Sequence, residues 1–314
     1  MSSAGSLLAT SIRAPDNLGQ SMDYASVIKR MNAYERLMRL DKPVGALLLL
    51  WPTLWAVWIA ANGRPAIDIV LIFVVGTFLM RSAGCAMNDW ADRDFDGRVA
   101  RTRERPLAAG EIAPREALLL AAVLAALAFC FALFLNWFAI LLSFVALAIA
   151  CAYPFAKRFV PLPQLGLSIA FSFGIPMAFA AIRNALPWEC WALFAANACY
   201  AFAYDTEYAM VDRDDDLKVG IHTSAITLGR HDVAAVMASY ALMLAFLAWI
   251  GVALPLGWPF FAGLAVAAAM MLYHYTLIRG RSREGCFRAF RHNNWVGLSI
   301  FAGIVLSYFL PGLL

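Results

Sequence analysis

The chain has 314 residues, 62% hydrophobic and 15% charged, against the roughly 25% charged of soluble domains, so neither a soluble globule nor a disordered chain fits. A formal charge of +4, with no basic tract outside short loops, leaves a nucleic-acid binder without its basic face. Lipid is the solvent for most of this sequence.

Residues 1–43 read as a polar cytoplasmic N-terminal arm with no apolar run resembling a signal peptide, and residues 44–314 as one membrane domain. Apolar runs bounded by charged, Gly or Pro punctuation fall near 44–61, 66–88, 116–135, 137–155, 163–182, 188–208, 233–254, 257–278 and 294–313. Nine spans of about 20 residues take roughly 180 residues, leaving roughly 134 for the arm and loops and no room for a second domain. The connections at Asn62 to Pro65, Asn136 and Lys157 to Leu162 are short enough for antiparallel helical hairpins. Runs of this length exclude a β-barrel.

Charges in the connections alternate. Lys29, Arg30, Arg36, Arg39 and Lys42 precede the first span; Arg93, Arg98, Arg101, Arg103, Arg105 and Arg115 follow the second. Lys157 and Arg158 follow the fourth, Arg213, Lys218 and Arg230 the sixth, and Arg279, Arg281, Arg283, Arg288 and Arg291 the eighth. The other connections offer only Arg64 and Arg183. The positive-inside rule then places the N-terminus in the cytoplasm and Leu314 outside.

The acidic residues gather on the same side. One stretch reads Asn88-Asp89-Trp90-Ala91-Asp92-Arg93-Asp94-Phe95-Asp96, the other runs from Asp205-Thr206-Glu207-Tyr208 to Asp212-Arg213-Asp214-Asp215-Asp216, and together they hold 10 of the 21 acidic residues. If the helices continue past the membrane surface, Asn88, Asp92 and Asp96 share one face, and so do Asp205, Asp212 and Asp216. Asp92 and Asp96 recur as Asp212 and Asp216, shifted by 120 residues, and Asp96-Gly97-Arg98-Val99 matches Asp216-Leu217-Lys218-Val219. This weak internal repeat predicts two equivalent helix ends facing each other across a cavity.

Carboxylates converging beside lipid repel one another unless a cation compensates. Hard oxygen ligands favour Mg2+ or Ca2+, and Mg2+ shares its coordination with substrate phosphates, so the paired motifs point to a metal-bridged diphosphate. Lys157, Arg158 and the arginines after the first motif are candidate partners for its negative charge. Arg81 sits about two turns before Asn88 inside an apolar span, where it must face a polar cavity or a carboxylate. The six cysteines read as small hydrophobes, and His222, His231, His274 and His292 show no ligand spacing, His274 being read as hydrogen-bonded structure.

The stretches Met80-Arg81-Ser82-Ala83-Gly84-Cys85-Ala86-Met87-Asn88-Asp89-Trp90-Ala91-Asp92 with Asp96, and Tyr204-Asp205-Thr206-Glu207-Tyr208-Ala209-Met210-Val211-Asp212-Arg213-Asp214-Asp215-Asp216, resemble the two Asp-rich signatures of UbiA-type intramembrane aromatic prenyltransferases. The second stretch is most similar to the 4-hydroxybenzoate polyprenyltransferase branch. Arg39-Leu40-Asp41-Lys42-Pro43-Val44-Gly45, Arg105-Pro106-Leu107 and Tyr153-Pro154-Phe155 add to the resemblance, which spans roughly residues 35–230. It implies an all-α integral membrane protein of about nine transmembrane helices around a central cavity opening to the cytoplasmic face. It also implies Mg2+-dependent transfer of a polyprenyl group from its diphosphate to the carbon ortho to the hydroxyl of 4-hydroxybenzoate, in ubiquinone biosynthesis. By that resemblance Asn88, Asp92, Asp96, Asp212 and Asp216 hold metal and diphosphate, and Lys157 and Arg158 assist the leaving group. Asp205, Asp212 or the released diphosphate takes the ring proton, and Arg93 or Arg81 binds the carboxylate.

The competing readings are a related transferase of the menaquinone, haem O or lipid pathways, and a cation-coupled transporter. A transporter site would lie nearer the midplane than these clusters do. No obligate protein partner is evident, and the short polar arm points to a bacterial inner membrane.

Overall fold

The computed structural model describes residues 24–97, 102–156, 159–254 and 256–310. Among them every regular element is a helix. In chain order these are α1 (Tyr24–Met38), α2 (Val44–Ala60), α3 (Ile67–Asp96), α4 (Pro114–Ala132), α5 (Trp137–Ala156), α6 (Pro163–Ser172) and α7 (Gly174–Arg183). They continue with α8 (Trp188–Val219), α9 (Ser224–Leu228), α10 (Asp232–Ala253), α11 (Trp258–Ile278) and α12 (Arg283–Phe309).

Among the described residues five stretches are long and apolar enough to cross a membrane: Ile67–Asp94, Pro114–Ala132, Pro163–Arg183, Ser224–Ala253 and Trp258–Ile278. Val44–Ala60 and Trp137–Ala152 are apolar but shorter. Leu119, Val123 and Leu127 on α4, Leu141 and Phe144 on α5, and Trp249 and Val252 on α10 all point outward. That outer apolar coat belongs to a chain whose surroundings are hydrocarbon, so this is an integral membrane protein.

The two acidic stretches are helical and continue the apolar runs before them: α3 runs for 30 residues and α8 for 32. The apolar run at 163–182 is not one helix. It breaks at Phe173, because Pro176 in the first turn of α7 has no N–H to give back to α6. Gly174 makes the break possible, since a Cβ there would stand 2.5 Å from the Thr53 hydroxyl of α2.

Long helices pack as a closed ring in chain order, α2 against α3, α3 against α4, and so on round to α12, which returns to α2. The two halves of the ring differ. Around α8, α10, α11 and α12 the interior is solid, built on Tyr200, Val236, Met243, Leu247, Ile250, Ala267 and Ile300. Polar groups inside it are paired: Tyr240 Oη donates to Glu207 Oε1 at 2.9 Å and Asn293 Nδ2 to Glu207 Oε2 at 2.8 Å. His274 Nε2 lies 2.9 Å from His292 Nδ1, and its Nδ1 3.3 Å from Tyr240 Oη, so it is hydrogen-bonded structure as the sequence suggests. Around α2 to α6 the ring encloses a cavity instead.

One element lies where the sequence reads only a polar arm. Helix α1 packs Ala33 and Leu37 against Ala86 of α3, Ala117 and Ala121 of α4, and Leu107 and Ile112 of the connection between them. Arg30 pairs with Glu116 at 2.6 Å, and Arg36 pairs with Glu111.

Candidate active site

The cavity has a volume of about 1070 Å³ and two chemically distinct ends. One is apolar and made largely of small side chains, with Gly76 from α3, Ala125, Ala128 and Ala132 from α4, and Ala146 and Ala150 from α5. Ile72, Phe73, Leu135 and Met177 line its far reach. Since α3 contributes lining residues from Ile72 to Asp96, the cavity follows it for about 36 Å at 1.5 Å per residue.

The other end carries the charge. Asn88, Asp92 and Asp96 from α3 and Asp205, Asp212 and Asp216 from α8 all line it, so helical spacing brings the two acidic stripes to one space. Asn88 Nδ2 donates to Asp92 Oδ2 at 3.0 Å across one turn. Among the described residues no three carboxylate, imidazole or thiol groups stand close enough together to hold an ion between them. Two stripes of hard oxygen donors, each too sparse to wrap a cation, fit an ion that keeps waters and completes its shell with phosphate oxygens, which is how Mg2+ is usually bound.

Asp96 is buried, and its Oδ2 accepts from Arg105 Nη1 at 2.9 Å while the Thr102 hydroxyl donates to its backbone carbonyl at 2.7 Å. Burial raises the Asp96 pKa; Arg105 opposes the shift, and the charges of Asp89 and Asp92 add to it. Burial alone would lower the Arg105 pKa, but the adjoining Asp89 and Asp96 carboxylates hold it raised.

Arg81 lines the same cavity, two turns deeper than Asn88. Its guanidinium lies over the Phe171 ring at 5.7 Å and against Gly45, where a Cβ would come within 2.7 Å of Nη2. Arg81 Nε is shut off from solvent, and no described residue accepts its hydrogen. An orphaned buried donor on a cationic fork, beside a cavity, suits a planar anion such as a carboxylate.

Arg93 lies elsewhere. One position past Asp92 it leaves the stripe, donates to the Trp90 carbonyl at 2.8 Å and lies over the Trp90 ring at 4.8 Å, and it is not among the cavity-lining residues. Lys157 and Arg158 fall outside the described residues. In the second motif, Arg213 and Asp215 turn from the cavity to the α11–α12 side. Asp215 accepts from Arg283 at 3.0 Å, and Arg213 lies 3.6 Å from Asp232, which also holds Arg281 at 2.6 Å.

Three groups near the acidic end were not singled out by sequence: Asp89, Arg39 and the aromatic wall of Tyr208, Phe287 and Phe290. Tyr208 and Phe290 have ring centroids 4.6 Å apart. Asp89 and Tyr208 lie inside the two motifs and Arg39 opens the Arg39–Gly45 stretch, so these three carried a signal, whereas Phe287 and Phe290 carried none.

A model of the UbiA prenyltransferase family matches residues 49–297. A protein of Cupriavidus necator named 4-hydroxybenzoate octaprenyltransferase is 61% identical over 282 residues, 90% of this chain and 99% of the relative. One of the same name from Methylobacillus flagellatus is 56% identical over 294 residues, 93% of this chain and 99% of its own. Among solved structures, a UbiA homologue of Aeropyrum pernix K1 is 29% identical with a TM-score of 0.73, over 83% of this chain and 97% of that one. A UbiA homologue of Archaeoglobus fulgidus, solved with GPP and Mg2+, shares the fold at 18% identity, with a TM-score of 0.66 over 87% and 99% of the two chains.

Proposed function

This chain belongs to the UbiA prenyltransferase family, and from that membership we propose that it transfers a polyprenyl group, of the octaprenyl class, from its diphosphate to the ring carbon ortho to the hydroxyl of 4-hydroxybenzoate. The observation that carries the reading is the meeting, along one long cavity, of two acidic stripes and, two turns deeper, an arginine whose buried Nε has no acceptor among the described residues. A diphosphate suits the first, an aromatic acid the second and a polyprenyl tail the apolar remainder.

Asn88, Asp92 and Asp96 on one helix and Asp212 and Asp216 on the other would hold Mg2+ and the diphosphate. When bound there, Mg2+ neutralises the charge that develops on the departing diphosphate. The allylic C–O bond breaks with its electron pair leaving on the diphosphate, and the phenol ring forms the new C–C bond from its ortho carbon. Tyr208, Phe287, Phe290 and Phe171 give the allylic cation aromatic faces and keep water from it. Arg81 holds the benzoate carboxylate and so aims the ortho carbon at the cation. The ring proton passes to Asp205, to Asp212 or to the released diphosphate.

The charge alternation supports nine spans, an N-terminus in the cytoplasm, a cavity opening on that side and a C-terminus across the membrane. The 4-hydroxybenzoate octaprenyltransferases this chain resembles are bacterial, which supports an inner membrane. Residues 44–314 act as one transferase domain, with α1 in the arm before it.

The test uses membranes carrying the protein, radiolabelled 4-hydroxybenzoate and octaprenyl diphosphate, with Mg2+ or with EDTA. Label should move into a lipid-soluble product only with Mg2+. Folded protein that makes none from donors of several lengths overturns the assignment of the acceptor.

A further inference from the structure

The first acidic motif is joined to the N-terminal helix by an unbroken line of alternating charge. Arg39 Nη2 donates to both oxygens of Asp89, at 3.0 and 2.9 Å. Arg105 Nη1 donates to Asp89 Oδ1 at 3.0 Å and to Asp96 Oδ2 at 2.9 Å. Asp89 is 1% exposed, so these pairs are not the loose contacts of a wet surface. Arg39 itself adopts φ +58, a left-handed conformation that a non-glycine residue holds only where its surroundings impose it. Its Nη1 is pinned as well, donating to the Arg36 carbonyl at 2.5 Å.

We infer that Arg39 and Asp89 are positioning residues for cation binding, acting through Arg105 to set how firmly Asp96 is held away from the metal. Arg105 is shared between two carboxylates, and its guanidinium opposes any cation that Asp96 is to bind. Asp89 draws Arg105 off Asp96; Arg39, by satisfying Asp89, limits that draw. The two residues therefore have opposite effects on one equilibrium. The inference rests on reading the cavity as a Mg2+-dependent transferase site.

Opposite signs make the test, because damage to the fold would move both variants the same way. In Asp89→Asn, Arg105 falls wholly to Asp96, and the Mg2+ concentration giving half-maximal transfer should rise about tenfold, which is about 1.4 kcal/mol, as should the Mg2+ concentration giving half of the maximal Tm rise in the purified protein without substrates. In Arg39→Gln, Asp89 pulls Arg105 harder and the half-maximal Mg2+ should fall by about threefold, while Arg39→Lys, which keeps the charge, stays near the wild-type value. In an Arg105→Gln background the Arg39→Gln shift should vanish, since the link is cut; a shift that persists there means the charge acts through space without Arg105. Shifts of the same sign, or none, overturn the inference. If Asp89→Asn does not reach the membrane, the contrast between Arg39→Gln and Arg39→Lys decides alone. A wild-type chain that shows no Mg2+-dependent transfer refutes the functional reading instead, whatever the variants do.

Discussion

Removing the Arg81 guanidinium tests acceptor recognition most directly. In Arg81→Ala the benzoate carboxylate would lose the fork of donors that lies beside Phe171 and Gly45, and with it a charge-assisted pair, leaving an anion poorly solvated at that depth. Such a loss costs about 2 to 4 kcal/mol, or about 30- to 1000-fold in kcat/KM. Folding should suffer little: Arg81 Nε has no hydrogen-bond partner to lose among the described residues, and the side chain borders open space. The assay compares 4-hydroxybenzoate with 4-hydroxybenzamide, its neutral analogue, in membranes with saturating donor and Mg2+, alongside the Tm of the purified variant in detergent. The charged acceptor should lose most of its advantage over the neutral one, while Tm stays within a few degrees (about one kcal/mol). Equal losses for both acceptors would refute carboxylate binding by Arg81, and a Tm that falls in step with activity would assign Arg81 to the fold.

Gly45→Ala should reproduce part of that effect, because its Cβ would sit 2.7 Å from Arg81 Nη2 and 3.0 Å from Nε. A shifted fork should raise KM for 4-hydroxybenzoate by about threefold to tenfold with the donor KM unchanged, and should add nothing in an Arg81→Ala background. Asp92→Ala and Asp212→Ala, one from each stripe, should each lower turnover by about a thousandfold or more at unchanged elution volume on size exclusion; turnover that survives removes that residue from the metal site. Burial raises the Asp96 pKa, so the carboxylate that a cation requires is lost, as pH falls, sooner than for an ordinary aspartate. The half-maximal Mg2+ should therefore rise as pH falls through that raised value, by up to about tenfold per pH unit for one titrating ligand. Asp96→Asn should flatten this rise, and an unchanged profile in that variant would show that another group titrates.

The continuation of α3 and α8 through their acidic stretches was legible because Asn88, Asp92 and Asp96 repeat at the helical period, as do Asp205, Asp212 and Asp216. That the stripes share a cavity was legible from their recurrence. Other features were visible in principle. Pro176 marks the break between α6 and α7, and the 100° step from Asp92 to Arg93 already turns Arg93 off the stripe. Helix α1 was hidden because the residues that hold it, Ala86, Glu111, Glu116 and Asp89, lie 50 or more positions away from their partners. Local pattern carries no record of such pairs.

That same periodicity explains what the remaining charges do. A helix that presents a stripe of acidic side chains to the cavity leaves others at the edge of it, as Asp89 is, or turned into protein, where an uncompensated charge costs several kcal/mol. Each buried or half-buried one has found its partner. Asp89 is held by Arg39 and Arg105, Asp215 by Arg283, and Glu207 by Tyr240 and Asn293. The partners come from the turn after α1, the α3–α4 connection, α10 and α12, so the off-stripe residues tie distant parts of the chain to the two acidic helices. A motif crowded with carboxylates thus does two jobs on two faces: one face presents ligands to the cavity, and the other fixes the angle at which they are presented. Substitutions on the second face should therefore alter metal dependence before they alter the fold, the order of events that the Asp89 and Arg39 variants are designed to detect.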